Sequence, residues 1–265
     1  MKPALILLAM LLSCPASGGS LWSQAEKARR DGEVVDLDPA ARLEAQSLFM
    51  DLMAIAPSGQ VPGDLRTRAK VLGLHLRIED DRVLLWGADA IPHGFYAIRL
   101  GPAAPVILEA PHAFFDLETG NLTSAWFDEG WARAAFMNQG HRFGGPGKEP
   151  KPGGPDVAHR PASFYQAATL GAARGLRTPL VVQIHGFKER GNEAAVVSAG
   201  SALQTHHIET AFIEALAPLL RPQGLVLPAE QALDLAGRKN VQGRGLSGHA
   251  RFVHLEFSRT TRTNL

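Results

Sequence analysis

The run Leu180-Val181-Val182-Gln183-Ile184-His185-Gly186 decides the fold. It is too short for a helix, it is dominated by aliphatic and β-branched residues, and its apolar character is continuous rather than alternating. That is the pattern of a strand covered on both faces, as in a parallel sheet. Working outward, Val106-Ile107-Leu108-Glu109-Ala110 reads as a second such strand, Leu225-Val226-Leu227 as a short one and Arg251–Ser258 as the last. Between them, helices are predicted over Asp128–Gln139, over Ser163–Ala173 (capped by Ser163 and ended near Gly175) and over Thr205–Leu220. Strands alternating with helices predict an α/β fold, with a mostly parallel or mixed central sheet flanked by helices on both faces. The Gly- and Pro-rich stretch 143–156 is a surface loop.

Upstream, residues 38–56 have helical periodicity, with Asp38 as N-cap and Pro39 in the first turn, and 64–73 predicts a second helix. Leu74–Ile78, Val83–Trp86 and Phe95–Leu100 read as strands. Residues 20–104 are therefore expected to form a small α+β lead-in that feeds strands into one edge of the sheet. Residues 105–260 form the core of a single domain spanning 20–265.

Hydrophobic residues make up 45% of the 265, enough for one large core. Net charge is +1 and no basic stripe interleaved with aromatics is present, which argues against nucleic acid and leaves a small molecule or peptide as the expected partner. At the N-terminus, Lys2, an apolar run over 4–12 and the small residues Ser13, Ala16, Ser17, Gly18 and Gly19 have the order of an export signal over residues 1–19. The run is shorter than the roughly 20 residues that span a bilayer. The sole cysteine, Cys14, follows Leu11-Leu12-Ser13, which resembles a lipoprotein cleavage site. Two readings stand: ordinary cleavage to an exported, periplasmic protein, or an outer-membrane lipoprotein anchored at Cys14. Neither leaves a disulfide.

In open α/β sheets, ligands bind where the loops leave the carboxyl ends of the strands. His112 follows the strand at 106–110, His185 follows the strand at 180–184, and Glu256 stands late in the strand at 251–258. A second acid, Asp116, lies four positions after His112. Two histidines and a carboxylate suit one catalytic zinc ion, which keeps a coordination position open for water. A further carboxylate must then take the water's proton. On this reading His112, Asp116 and His185 are the ligands and Glu256 is the base.

These stretches (His112 with a nearby acid, Gln183-Ile184-His185-Gly186, and Leu255-Glu256-Phe257-Ser258-Arg259) resemble the three signatures of the zinc-carboxypeptidase-like superfamily. That group includes metallocarboxypeptidases, N-formylglutamate amidohydrolases and poly-γ-glutamate hydrolases. The resemblance covers roughly residues 105–260 and implies zinc-dependent amide hydrolysis. In metallocarboxypeptidases two residues separate the first His from its acid, whereas three separate His112 from Asp116, so Glu118 stands as the rival ligand. The family also holds a substrate carboxylate with an Asn and an Arg. Asn138 and Arg142, spaced i,i+4 and so able to share a helix face, are matched to that role. Asn240 lies in a polar, Gly-punctuated run suited to lining a pocket, and His254 shares a strand face with Glu256. Asp156 and His159 read as supports for the ligands, as alternative ligands, or as a plain helix-leading turn. Competing readings are a non-catalytic periplasmic binding protein on the same fold, and a serine hydrolase using Ser258 or Ser247 with His249. Neither a Gly-x-Ser-x-Gly elbow nor a His-Glu-x-x-His motif is present.

Overall fold

The computed structural model describes residues 20–88, 93–149, 154–200 and 206–265. The expected signal segment and Cys14 lie outside them. The strands are β1 (Leu74–Glu79), β2 (Arg82–Gly87), β3 (Phe95–Arg99), β4 (Ala104–Ala110), β5 (Ala132–Met137), β6 (Leu180–Phe187), β7 (Glu193–Ser198), β8 (Leu225–Pro228) and β9 (Arg251–Ser258). They form one sheet in the order β1-β2-β3-β5-β4-β6-β9-β7-β8. The centre, β5-β4-β6-β9, is parallel. The lead-in strands join antiparallel at one side, and β7 runs antiparallel to β9 at the other, so the sheet is mixed.

Helices α1 (Ser20–Lys27), α2 (Pro39–Ile55), α3 (Gly63–Val71), α4 (Thr119–Asp128), α5 (Phe164–Arg174), α6 (His206–Leu220), α7 (Val241–Gly245) and α8 (Arg259–Asn264) complete the chain. Helices α1, α4 and α6 pack on one face, where Leu21, Trp126 and Leu216 meet Val106, Leu108, Val182 and Leu255. On the opposite face α2, α3 and α5 bring Phe49, Leu65 and Phe164 against Ile107, Phe136, Val181 and Phe252. The alternation of partners along each strand is the period of two expected of a sheet covered on both sides. Asp38 caps α2 by accepting from Ala41 N at 2.8 Å. A Cβ at Gly171 would overlap the backbone of Gln46, so the missing side chain lets α5 cross α2 in close contact.

The helix predicted over Asp128–Gln139 is not formed. α4 ends at Asp128, and 132–137 is the strand β5. Ala132-Arg133-Ala134-Ala135-Phe136-Met137 contains good helix formers, but every one of these residues is buried between β3 and β4. In that slot alanine serves as a thin strand residue, and tertiary context overrides propensity. Arg133 is buried there because its guanidinium donates to the carbonyls of Arg99 (2.6 Å) and Gly101 (2.8 Å). Strand β7 and helices α4 and α8 carry no sequence prediction, whereas the residues around 18–24 read as a linker but enter α1 from Ser20, and the polar run 240–244 reads as a loop but forms the short helix α7.

Candidate metal centre

Strands β4, β6 and β9 are neighbours, and their carboxyl ends carry His112, His185 and Glu256. After β4 the chain makes a single helical turn in which Asp116 N donates to His112 O at 2.8 Å. Residues four apart on such a turn lie side by side. The spacing of three intervening residues therefore brings Asp116 to His112, and Asp116 Oδ2 stands 3.2 Å from His112 Nδ1. Glu118 has a left-handed backbone at the start of α4 (φ 72°) and its carboxylate accepts from Asn121 instead. It is not among the grouped side chains.

His185 enters from β6, with Nδ1 3.1 Å from His112 Nδ1 and 3.6 Å from Asp116 Oδ2. Gly186 N donates to the same Asp116 oxygen at 3.1 Å. All three side chains are buried, and together they form a group able to hold a metal ion.

The outer hydrogen bonds assign the tautomers. His112 Nε2 lies 2.9 Å from Asp156 Oδ1, which can only accept, so that nitrogen carries the proton. His185 Nε2 lies 2.8 Å from Gln183 Oε1. The Gln183 amide is itself oriented, because its Nε2 donates to Glu109 Oε2 at 2.8 Å and Asn240 donates to its Oε1. In their neutral forms both imidazoles therefore turn an Nδ1 lone pair inward, toward each other and toward a carboxylate oxygen. Three converging lone pairs need positive charge between them, supplied by a metal ion or, without one, by a proton on His112 Nδ1. Donors held by a tetrahedral ion with bonds of about 2.0–2.1 Å stand about 3.3 Å apart, and the edges of this triangle are 3.1, 3.2 and 3.6 Å. The residues fit zinc.

Asp156 also accepts from Arg142 Nε at 2.8 Å and from Ala158 N at 3.1 Å. Burial opposes its ionisation, but His112, His159 and Arg142 hold its carboxyl well below the usual range. Burial likewise disfavours charge on His112, yet Asp156 and Asp116 outweigh it and hold this imidazole up at about 9 in the ion-free chain. Burial lowers His185 to about 4. A proton and a cation thus compete for the same centre, and His112 is where the proton goes.

Glu256 pairs in register with His185 across β6 and β9. Burial, reinforced by Asp116, pushes its carboxyl up to about 8. Its Oε2 has no hydrogen-bond partner among the described residues, nor has His254 Nδ1. His254 stacks on His185 with ring centroids 4.4 Å apart, and its Nε2 is 3.9 Å from Glu256 Oε1. His185, His254 and Glu256 make a second grouping of metal-ligand types. Its donor atoms all lie within 4.8 Å of one another, and it shares His185 with the first group.

Asn138 and Arg142 do not share a helix face, because no helix exists there. Asn138 follows β5 and donates to Gly140 O at 3.1 Å, while Arg142 turns to Asp156 and lies over the rings of Phe115 and Phe143. Asn240 caps α7 through Gly243 N (3.0 Å) while its amide holds Gln183. Ser258 spends its hydroxyl capping α8, and Ser247 and His249 are exposed on the turn before β9. The support behind His185 escaped the sequence reading. Glu109 and Gln183 are polar residues inside apolar strands, and that was the available signal, since a buried carboxylate or amide needs partners. Glu109 has two: Thr169 and Gln183.

No protein-family description and no curated protein matches the chain. Among solved structures it is similar to YndL in its zinc-free form, at 14% identity and a TM-score of 0.41 over 64% of this chain and 75% of that one. It is also similar to a bacteriophage poly-γ-glutamate hydrolase, at 17% identity and a TM-score of 0.37 over 63% and 72%. A mutant of tomato leucine aminopeptidase matches at 10% identity and a TM-score of 0.32, over 99% of this chain and 56% of that one.

Proposed function

We propose that the chain is an exported zinc-dependent hydrolase that cleaves an amide bond in a peptide or an N-acyl amino acid. The observation that carries this reading is the convergence of two inward-facing imidazole nitrogens and the Asp116 carboxylate beside the buried, partner-free oxygen of Glu256. Zinc held by His112, Asp116 and His185 would supply Lewis-acid polarisation of a carbonyl and activation of a water.

The remaining work falls to the protein's own groups. Glu256 takes the proton of the attacking water on its free Oε2 and hands it to the leaving nitrogen. Burial raises its proton affinity, which suits the acid half of this shuttle, and a cation held by the three ligands would lower it and leave the carboxylate ionised for the base half. His254, stacked on His185 with its Nε2 3.9 Å from Glu256 Oε1, lines the same side of the centre. Arg142, fixed by Asp156 next to His112, is the cation placed to receive a substrate carboxylate. The partner is therefore a small molecule or peptide, not nucleic acid. Export rests on the order of residues 1–19, with a lipid at Cys14 as the only membrane link.

The test is metal analysis of the purified full chain, with turnover of a panel of peptides and N-acyl amino acids by the parent and by Glu256→Gln. The parent should hold one zinc, and the variant should keep it while losing turnover. A metal-free parent whose melting ignores chelators would leave the binding-protein reading instead, and full activity in Glu256→Gln would remove this residue from the chemistry. Labelling with radioactive palmitate separates lipidated from simply cleaved protein.

A further inference from the structure

Ser258 ends β9, and its Oγ accepts from Thr261 N at 3.2 Å, which turns the chain into α8 two residues after Glu256. That turn sends Arg262 back behind the centre. The side chain is buried, and its donors go to main-chain carbonyls: Nε to Leu117 O at 2.7 Å, Nη1 to Phe257 O at 2.6 Å and, at longer range, to Phe187 O at 3.5 Å. These carbonyls lie one residue beyond Asp116, one beyond Glu256 and two beyond His185. A Cβ at Gly186 would overlap Arg262 Nη1, so the guanidinium passes directly against the main chain of β6.

A planar fork with donors in fixed directions can reach several carbonyls at once, which a lysine ammonium on a flexible stem cannot do in the same geometry. Without it the carbonyls lose a charged donor in a place where water does not readily replace it. The three segments tied together are the ones that carry an ion donor from the turn after β4, an ion donor from β6 and the base from β9. Neighbouring strands already fix β6 against β9, but the turn holding Asp116 has no ladder of its own at this point. Arg262 supplies a rigid link from Leu117 to the other two.

We propose that Arg262 is a positioning residue of the metal centre: one guanidinium fastens the main chain behind Asp116, His185 and Glu256 and so sets the spacing of the donors. This rests on the reading of His112, Asp116 and His185 as ion ligands.

The experiment measures zinc affinity of the full chain by competition with a chromophoric chelator, together with the melting temperature of the metal-stripped protein. Arg262→Met should weaken zinc by about 10- to 100-fold, the range typical of residues that orient metal ligands from behind. Arg262→Lys keeps the charge without the fork and should recover only part of that loss. Gly186→Ala places a methyl where Nη1 lies, so it should weaken zinc in the same way. Combined with Arg262→Met it should add little, because both changes break the same link. Zinc affinity within about threefold of the parent in both single variants, whatever their melting temperatures, would make Arg262 a plain structural brace and overturn the proposal. Should Arg262→Met not fold, Arg262→Lys and Gly186→Ala decide the matter by the same threshold. A parent chain that binds no zinc overturns the metal reading itself, and this role with it.

Discussion

The two faces of β4, β6 and β9 diverge halfway along the strands. On the face covered by α4 and α6, the residues stay apolar to the end: Val106, Leu108 and Ala110, then Leu180, Val182 and Ile184, then Val253, Leu255 and Phe257. On the face covered by α5, the same strands begin with Ile107, Val181 and Phe252 and finish with Glu109, with Gln183 and His185, and with His254 and Glu256. One face is a core throughout, and the other turns from core to chemistry. The polar half survives burial because its members answer one another, Thr169 to Glu109, Glu109 to Gln183, and Gln183 to His185 and Asn240. The exceptions are Glu256 Oε2 and His254 Nδ1, at the edge where a reacting group would arrive.

The contrast can be broken one residue at a time. The largest expected effect is that of Glu256→Gln, which should lower kcat by roughly 10²–10⁴-fold, about 3–5 kcal/mol, with zinc retained and stability little changed. Leu255 is its neighbour in sequence but points to the other face. Leu255→Ala should cost about 2–5 kcal/mol of stability in urea unfolding while leaving the zinc content as it is.

Glu109 probes the polar half through pH. Burial, partly offset by Thr169 and Gln183, raises its carboxyl to about 7 in the folded chain. The folded state thus binds this proton more tightly than the unfolded state does. The contribution is complete below the unfolded value of about 4.5 and is lost as pH rises through about 7, a fall of about 3 kcal/mol. Urea midpoints of the parent at about pH 5 and about pH 8 should differ in this direction, and Glu109→Gln should shrink the difference by its share while Glu256 keeps its own. Asp156→Asn, which weakens the support behind His112, should reduce zinc affinity by about 10- to 100-fold, or about 1.4–2.7 kcal/mol. At the small end, the exposed Arg190–Asp234 pair lies outside both cores and reaches the sheet only where Arg190 passes over the ring of Phe187. Arg190→Gln should change the unfolding free energy by less than about 1 kcal/mol.

Much of this was legible in the sequence. Strands at 106–110, 180–184 and 251–258 each end in a residue of the centre, and alternation along a strand puts His254 with Glu256. Helices over 38–56 and Ser163–Ala173 followed from their caps and periodicity. Three things were not legible. β5 is written in helix-forming alanines and becomes a strand only because the sheet has a narrow place for it. Asp156 ends a Gly- and Pro-rich loop, and sequence alone leaves it open between a support for the ligands and a plain turn. Arg262 is an ordinary basic residue in a polar tail, and only the turn set by Ser258 sends it back behind the centre. Local pattern finds elements and strand ends, whereas supports that arrive from distant loops depend on the assembled fold.

His112 and Asp116 occupy one turn of backbone, closed by the bond from Asp116 N to His112 O. Such a pair acts as a two-toothed chelate whose bite is set before any ion comes near, so most of the ordering cost of binding falls on the third donor. That donor belongs to a different strand. Ion occupancy would therefore clasp the end of β4 to the end of β6, and amide exchange along that seam, faster in stripped protein than in loaded protein, would register the clasp directly.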